Sequence, residues 1–251
     1  MNIPDCLKPF EADLQHYKQD FIRIHAKPLK KNPQLTFEQS KFLGKPYLPV
    51  GFEYPMDQND EPMILLAQIN FAEVPALENY PDHGILQLFV SGDDWEDMED
   101  YKVLFHETIG EAQTDFSFVH EDLYATSPIN CPHSLTFTKE TELGGSEDFR
   151  FDYEFDGKPY WEFEDTLKEA DQEAIDPLFS GSGHKIGGYA CFTQLDPRDE
   201  KEENRDDVLL LQIDIDDEIM FGDSGVAHLL INKDALINKD FSKAYFYWDC
   251  C

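Results

Sequence analysis

Two stretches of this chain, 144 residues apart, read almost as copies: Ile64-Leu-Leu-Ala-Gln-Ile-Asn70 and Val208-Leu-Leu-Leu-Gln-Ile-Asp214. At the same offset Ser40-Lys-Phe-Leu-Gly44 matches His184-Lys-Ile-Gly-Gly188, and at 141 Gly84-Ile-Leu-Gln-Leu-Phe-Val90 matches Gly225-Val-Ala-His-Leu-Leu-Ile231. Eight of these 19 positions are identical, where average composition gives roughly one. A shared offset marks an internal repeat, so both halves must build the same unit. The repeats predict an α+β fold, mostly antiparallel β, of two similar sheet-containing halves related by internal duplication, with an N-terminal helix. They divide one integrated domain into an N-terminal helix and arm (1–36), a first repeat (37–110), inserted aromatic hairpins with an acidic helix (111–180) and a second repeat (181–251).

Local periodicity fills in the elements. Leu7, Phe10, Leu14, Tyr17, Phe21 and Ile24 alternate spacings of three and four, the stripe of an amphipathic helix that Asp5 caps and Pro28 ends. Phe149, Phe151, Tyr153 and Phe155 alternate with polar residues, and Asp156-Gly157 turns the chain into Tyr160–Phe163, a hairpin pattern. Tyr101–His106, Asp115–His120 and Ser134–Thr138 read as short strands. Residues 165–176 read as an acidic helix ended by Pro177, and Asp196–Asp207 as an exposed loop.

Strict alternation places Ile64, Leu66, Gln68 and Asn70 on one face of their strand, with Val208, Leu210, Gln212 and Asp214 repeating the pattern. The amides either satisfy neighbouring backbone groups or line a polar cleft between the halves. In the second case Gln68, Asn70, His184, Lys185, Gln212 and Asp214 are the candidate ligand-binding set.

Charge supplies the second candidate. Twenty Lys and Arg against 52 Asp and Glu give a net charge of −32, which repels nucleic acid. With 41% apolar and 14% aromatic residues the chain still has ample material for a core. Residues 1–50 carry +3, leaving −35 on residues 51–251. The densest stretch, Asp93-Asp-Trp-Glu-Asp-Met-Glu-Asp100, packs six acids into eight positions. Asp93, Asp94, Glu96, Asp97, Glu99 and Asp100 form either a solvated loop or a docking face for a basic protein.

The remaining motifs carry little chemistry. Gly222-Asp-Ser-Gly225 has the form of a serine-protease nucleophile segment but runs straight into an apolar strand, and no His and Asp partners are recognisable. Gly181–Gly188 is glycine-rich with Lys185 inside it, yet matches no phosphate-binding spacing. Asp214-x-Asp216-x-Glu218 and Asp57-x-Asn59-x-Glu61 lack the glycine and glutamate of a calcium loop. His228 sits in an apolar run and reads as a core histidine. Five cysteines, Cys6, Cys131, Cys191, Cys250 and Cys251, are odd in number and scattered, which fits reduced thiols and no structural metal. Met1–Phe10 has no apolar signal region and no run approaches a bilayer span, so a cytoplasmic location without membrane contact is expected.

Several blocks, in order, resemble the YwqG-like family of bacterial cytosolic proteins, whose biochemical function is not established. They are Ser40-Lys-Phe-Leu-Gly-Lys-Pro46, Pro62-Met-Ile-Leu-Leu-Ala-Gln-Ile-Asn-Phe-Ala-Glu73, Gly84-Ile-Leu-Gln-Leu-Phe-Val90, His184-Lys-Ile-Gly-Gly-Tyr189, Leu209-Leu-Leu-Gln-Ile-Asp214, Phe221-Gly-Asp-Ser-Gly-Val226 and Tyr247-Trp-Asp-Cys250. Leu43 stands where that family more usually has a second glycine. The resemblance implies a sheet-rich mixed α/β unit, a non-secreted protein and an association with toxin and immunity loci. It supplies no catalytic residues.

Together these features predict a non-enzymatic acidic protein-binding module, of which an immunity-type inhibitor is one form, with a basic protein as partner and no cofactor. The alternative is a small-ligand binder or enzyme using a polar cleft between the repeats.

Overall fold

A computed structural model describes residues 3–30, 35–199 and 204–251. Lys31 of the base-rich N-terminal stretch and residues 200–203 of the expected loop lie outside the described residues.

Among the described residues ten antiparallel strands form one sheet in the order β10-β9-β8-β7-β1-β6-β2-β3-β4-β5. The centre is β1 (Gln19–Pro28), flanked by β6 (His133–Glu142) and β7 (Lys185–Gly187). On one side lie β2 (Lys41–Phe42), β3 (Ile64–Asn70), β4 (Ile85–Val90) and β5 (Tyr101–His106). On the other, β7 leads to β8 (Asp207–Ile213), β9 (Val226–Asn232) and β10 (Tyr245–Asp249). The sheet curls until its edges nearly meet, giving a nearly closed barrel. Tyr101 of β5 faces Phe246 of β10 at 6.1 Å between ring centres, and Phe105 stacks near Phe241 at 4.4 Å. Near closure protects both edges from stray pairing.

Strands β3, β4, β8 and β9 are buried along nearly their whole length, because one face fills the barrel and the other is covered by loops. Strict alternation fails in both blocks at the same place. A bulge at Leu66 shifts the register between Leu65 and Ala67, and one at Leu210 shifts it between Leu209 and Leu211. An extra residue flips the faces beyond it. Ile64, Leu66, Ala67 and Ile69 therefore all join the barrel core, and so do Leu210, Leu211 and Ile213. Leu65 instead packs outside with Met63 and Phe89, and Leu209 with Ala190, Phe192 and Leu230. Alternation places Gln68 with Leu66 and Gln212 with Leu210, but the bulges separate them, and both glutamines reach the loops outside the barrel.

The sheet turns show a further correspondence. Leu43 adopts φ +54°, Gly44 +89°, Gly187 +72° and Gly188 +74°. Leu43, at the position where a glycine is expected, holds the left-handed conformation that its counterpart Gly187 adopts without a side-chain penalty. Leu43 is 3% exposed, so burial of its side chain offsets that strain.

The N-terminal helix is shorter than its stripe predicts. A 3-10 segment (Asp5–Phe10) runs into α1 (Glu11–Leu14), and the chain then becomes β1. Phe21 and Ile24 continue the helical spacing by coincidence; with Ile22 they form a compact apolar run that β6 and β7 pair on both sides. The other corrections lie in the insert. Asp115–His120 is turn and coil rather than a strand. Asp156-Gly157 does turn the chain, with φ +52° and +77°, but its arms pair only at Phe155 and Lys158. Pro159 removes the next donor, and the following residues become α2 (Tyr160–Glu164). The acidic helix is α3 (Glu169–Phe179), with Pro177 inside its last turn rather than beyond it. Leu7, Phe10 and Leu14 pack with Phe155, Phe163, Ile175 and Phe179 in a second, aromatic core outside the barrel.

Candidate functional site

The six polar residues proposed to line a cleft are all buried, and their polar groups are taken by nearby chain. Gln68 Oε1 accepts from Tyr47 N at 2.8 Å and from Gln87 Nε2 at 2.8 Å, while its Nε2 donates to Phe37 O and Gln39 O. Gln212 does the same work in the other block: Oε1 accepts from Cys191 N at 2.9 Å, and Nε2 donates to Gly181 O and Gly183 O. Asn70 caps the turn after β3 by accepting from Ala72 N and donates to Glu38 O. Asp214 accepts from Gly183 N and Ile215 N, so the glycine-rich stretch is ordered by its own chain rather than left open for an anion. His184, Lys185, Gln212 and Asp214 stand together around β7 and β8; no hydrogen bond or ion pair links Gln68 or Asn70 to them.

Two lysines occupy corresponding places and meet different fates. Lys41 pairs in register with Gln68, and Lys185 with Gln212. Lys185 Nζ lies 2.8 Å from Glu142 Oε2 and 3.0 Å from Oε1, with both side chains buried. Burial pushes the lysine down and the glutamate up from their ordinary values, and the pairing opposes both shifts. Lys41 Nζ has no carboxylate partner among the described residues; it donates to the carbonyls of Thr36, Phe37 and Lys45. Burial lowers it to about 8, against the raising influence of Glu38 and Glu73.

The strongest ionic cluster lies where an exposed loop is predicted. Arg198 is fully buried, and Asp196 and Asp207 are 7% and 4% exposed. Arg198 donates to Asp196 through Nε at 2.8 Å and Nη2 at 2.5 Å, lies 2.8 Å from Asp148 Oδ2, and reaches Asp207 O. Arg150 grips the same Asp148 through Nε and Nη2, and Asp148 also accepts from Ala190 N. Burial alone would raise Asp148, but Arg150 and Arg198 outweigh it and hold the carboxyl well below the usual carboxylate range. Each arginine bonds back to the aspartate two residues earlier. The repeated Asp-x-Arg of Asp148-Phe-Arg150 and Asp196-Pro-Arg198 is the signal that finds this cluster in the sequence.

At one mouth of the barrel His133, His184 and Asp216 converge. His184 Nδ1 accepts from Asp214 N at 3.0 Å, which leaves its proton on Nε2, 3.4 Å from Asp216 Oδ2. That tautomer suits a hydrogen bond to the carboxylate and not a metal. Among the described residues no group of three or more His, Cys, Asp or Glu is arranged to hold a metal ion. His133, wholly buried, makes no hydrogen bond to a described residue through either ring nitrogen, and its Nε2 lies 3.9 Å from Asp216 Oδ2.

His228 stacks beside Phe192 at 4.5 Å and hydrogen-bonds Cys191 O at 2.9 Å. Burial lowers it from 6.5 to about 3. The unfolded chain therefore binds a proton that the folded chain refuses between pH 6.5 and 3, and stability falls as pH drops through that window. The wild type is expected to lose on the order of 2 kcal/mol more between pH 7 and 5 than His228→Phe, read by urea unfolding at each pH. Equal losses would show that His228 is not held neutral.

The acidic loop between β4 and β5 is held in place from inside. Trp95, 7% exposed, contacts Phe221 and Trp248 at 5.5 and 4.9 Å, and Trp248 Nε1 donates to Glu96 O at 3.0 Å. Asp100 accepts from Gln58 N. Asp93, Asp94, Glu96 and Glu99 are exposed, Asp97 and Asp100 half-buried, and none of the six forms an ion pair with a described Lys, Arg or His.

No described helix is long and apolar enough to cross a membrane. No curated protein matches the chain. Residues 40–250, from the Ser40 turn through both outer strand blocks, match a family described as a domain of unknown function, DUF1963. The chain belongs to that family.

Proposed function

We propose that the protein is a non-enzymatic module that binds a basic protein partner through the loop Asp93–Asp100, an immunity-type inhibitor being one form such a module takes. The observation that carries this reading is a set of four exposed carboxylates, anchored by a buried tryptophan and with no described cation in ion-pair reach. A preorganised surface of one sign chiefly raises the on-rate and selects partners of the opposite sign. The candidate cleft residues have their hydrogen bonds satisfied within the fold, which supports a structural role for them. Replacing Asp93, Asp94, Glu96 and Glu99 together by Asn or Gln touches no buried group. Retention of a high-pI protein from host lysate at low salt is expected to fall at least about tenfold in that variant, and equally for the wild type at about 1 M salt, where screening shortens to about 3 Å. A partner held equally by variant and wild type would remove the loop from the reading; no partner at either salt would remove the reading itself.

We also infer that the two outer strand blocks arose by internal duplication. The 144-residue offset, the bulges at Leu66 and Leu210, the pairs Lys41 with Gln68 and Lys185 with Gln212, and the left-handed turns at residues 43–44 and 187–188 all support it.

A further inference from the structure

A cavity of about 560 Å³, lined by none of the candidate cleft or acidic-loop residues, lies between the chain that follows β2 and the long β5–β6 connection. Its volume is within the range of small-molecule sites. Leu43, Tyr54, Phe116 and Ile129 supply apolar walls. These walls are preformed: Leu43, Phe116 and Ile129 are at most 5% exposed, and Tyr54 is fixed by its hydroxyl donating to Met63 O at 2.9 Å and by its ring contact with Phe116.

Two lining residues bear opposite charges, Lys45 from the segment after β2 and Glu121 from the first residue of a 3-10 turn (Glu121–Tyr124). Both are exposed, and neither side chain makes a hydrogen bond or an ion pair with the other or with any described residue. The two charges thus stand more than an ion-pair distance apart. In a chain of net charge −32, a cation and an anion that line one apolar pocket without pairing are a specific arrangement; Lys45 also acts at a distance on the exposed carboxylate of Asp115. A simple fatty or aromatic carboxylate would meet Lys45 but leave Glu121 against it, and an amine would do the reverse. A zwitterion with an apolar body meets both.

We propose that this cavity binds a free hydrophobic α-amino acid, its carboxylate towards Lys45, its ammonium towards Glu121 and its side chain among Tyr54, Phe116 and Ile129. The inference does not rest on the acidic loop or on any basic partner.

Calorimetric or thermal-shift titration of the full chain with L-phenylalanine, L-leucine, 3-phenylpropionate and phenethylamine tests it. Saturable binding of the two amino acids is expected, with each singly charged analogue at least about tenfold weaker, a difference of about 1.4 kcal/mol. Lys45→Met is expected to weaken L-phenylalanine about tenfold and leave phenethylamine unchanged; Glu121→Gln should weaken L-phenylalanine as much and leave 3-phenylpropionate unchanged. Both residues are exposed, so neither variant threatens the fold. No saturable binding of either amino acid up to about 10 mM would overturn the proposal. So would analogues that bind as well as the zwitterion, or amino-acid binding that neither substitution alters.

Discussion

Arg198→Met is expected to destabilise the protein by about 3–5 kcal/mol, a large part of what a domain of this size has to lose. Methionine fills much of the space but leaves Asp196 without its guanidinium and Asp148 with only Arg150. Breaking one side of a buried ionic cluster costs more than the cluster contributes, because the abandoned carboxylate stays desolvated. The pH dependence separates this from simple loss of packing. Asp148 is held below its unfolded value, so its contribution is present above about pH 4 and disappears as the medium is acidified through the folded value. The gap between wild type and variant, measured by urea unfolding, should therefore narrow on going from pH 7 towards pH 3. A variant within about 1 kcal/mol of wild type at pH 7 would mean that the cluster is solvated in solution.

The two buried glutamines should behave as a matched pair. Gln68→Leu leaves the Tyr47 N–H and the Gln39 carbonyl without partners and the Phe37 carbonyl with only Lys41, and Gln212→Leu orphans the Cys191 N–H and the Gly181 and Gly183 carbonyls. Each buried orphan costs about 1–3 kcal/mol, partly offset by the added apolar burial of leucine, for an expected loss of about 3 kcal/mol per substitution. The sites share no hydrogen-bond partner, so the losses should add. The double variant would then lose about 6 kcal/mol and sit at the edge of unfolding at 25 °C. Partner binding by either single variant, measured while it is still folded, should be unchanged. If instead both variants keep full stability and lose a ligand, the glutamines serve a cleft.

Much of the sheet is readable from the residues because β3, β4, β8 and β9 are mostly apolar runs bounded by turns, and the similar segments that begin at Ile64 and Val208 fall on β3 and β8. What is not readable depends on events far away in sequence. The spacing of Phe21 and Ile24 suits a helix until β6 and β7, contributed by residues 133–142 and 185–187, claim them as a strand. The faces of Gln68 and Gln212 depend on bulges that no local pattern announces. Asp196 and Arg198 look like loop residues because polarity along the chain does not reveal that Asp148, 50 positions away, will bury Arg198. The apolar cavity is likewise hidden, since its walls come from separate stretches between Leu43 and Pro132.

The position of β1 at the centre of the sheet sets the order in which the molecule can be completed. Its hydrogen-bonding partners begin at His133 and Lys185, so no native neighbour for β1 exists until the residues from His133 onward have left the ribosome. The meander β2–β5 has no such debt among its own strands, and its hairpins can zip as they emerge. The opening segment must wait, apolar and unpaired, and its late capture joins the two blocks.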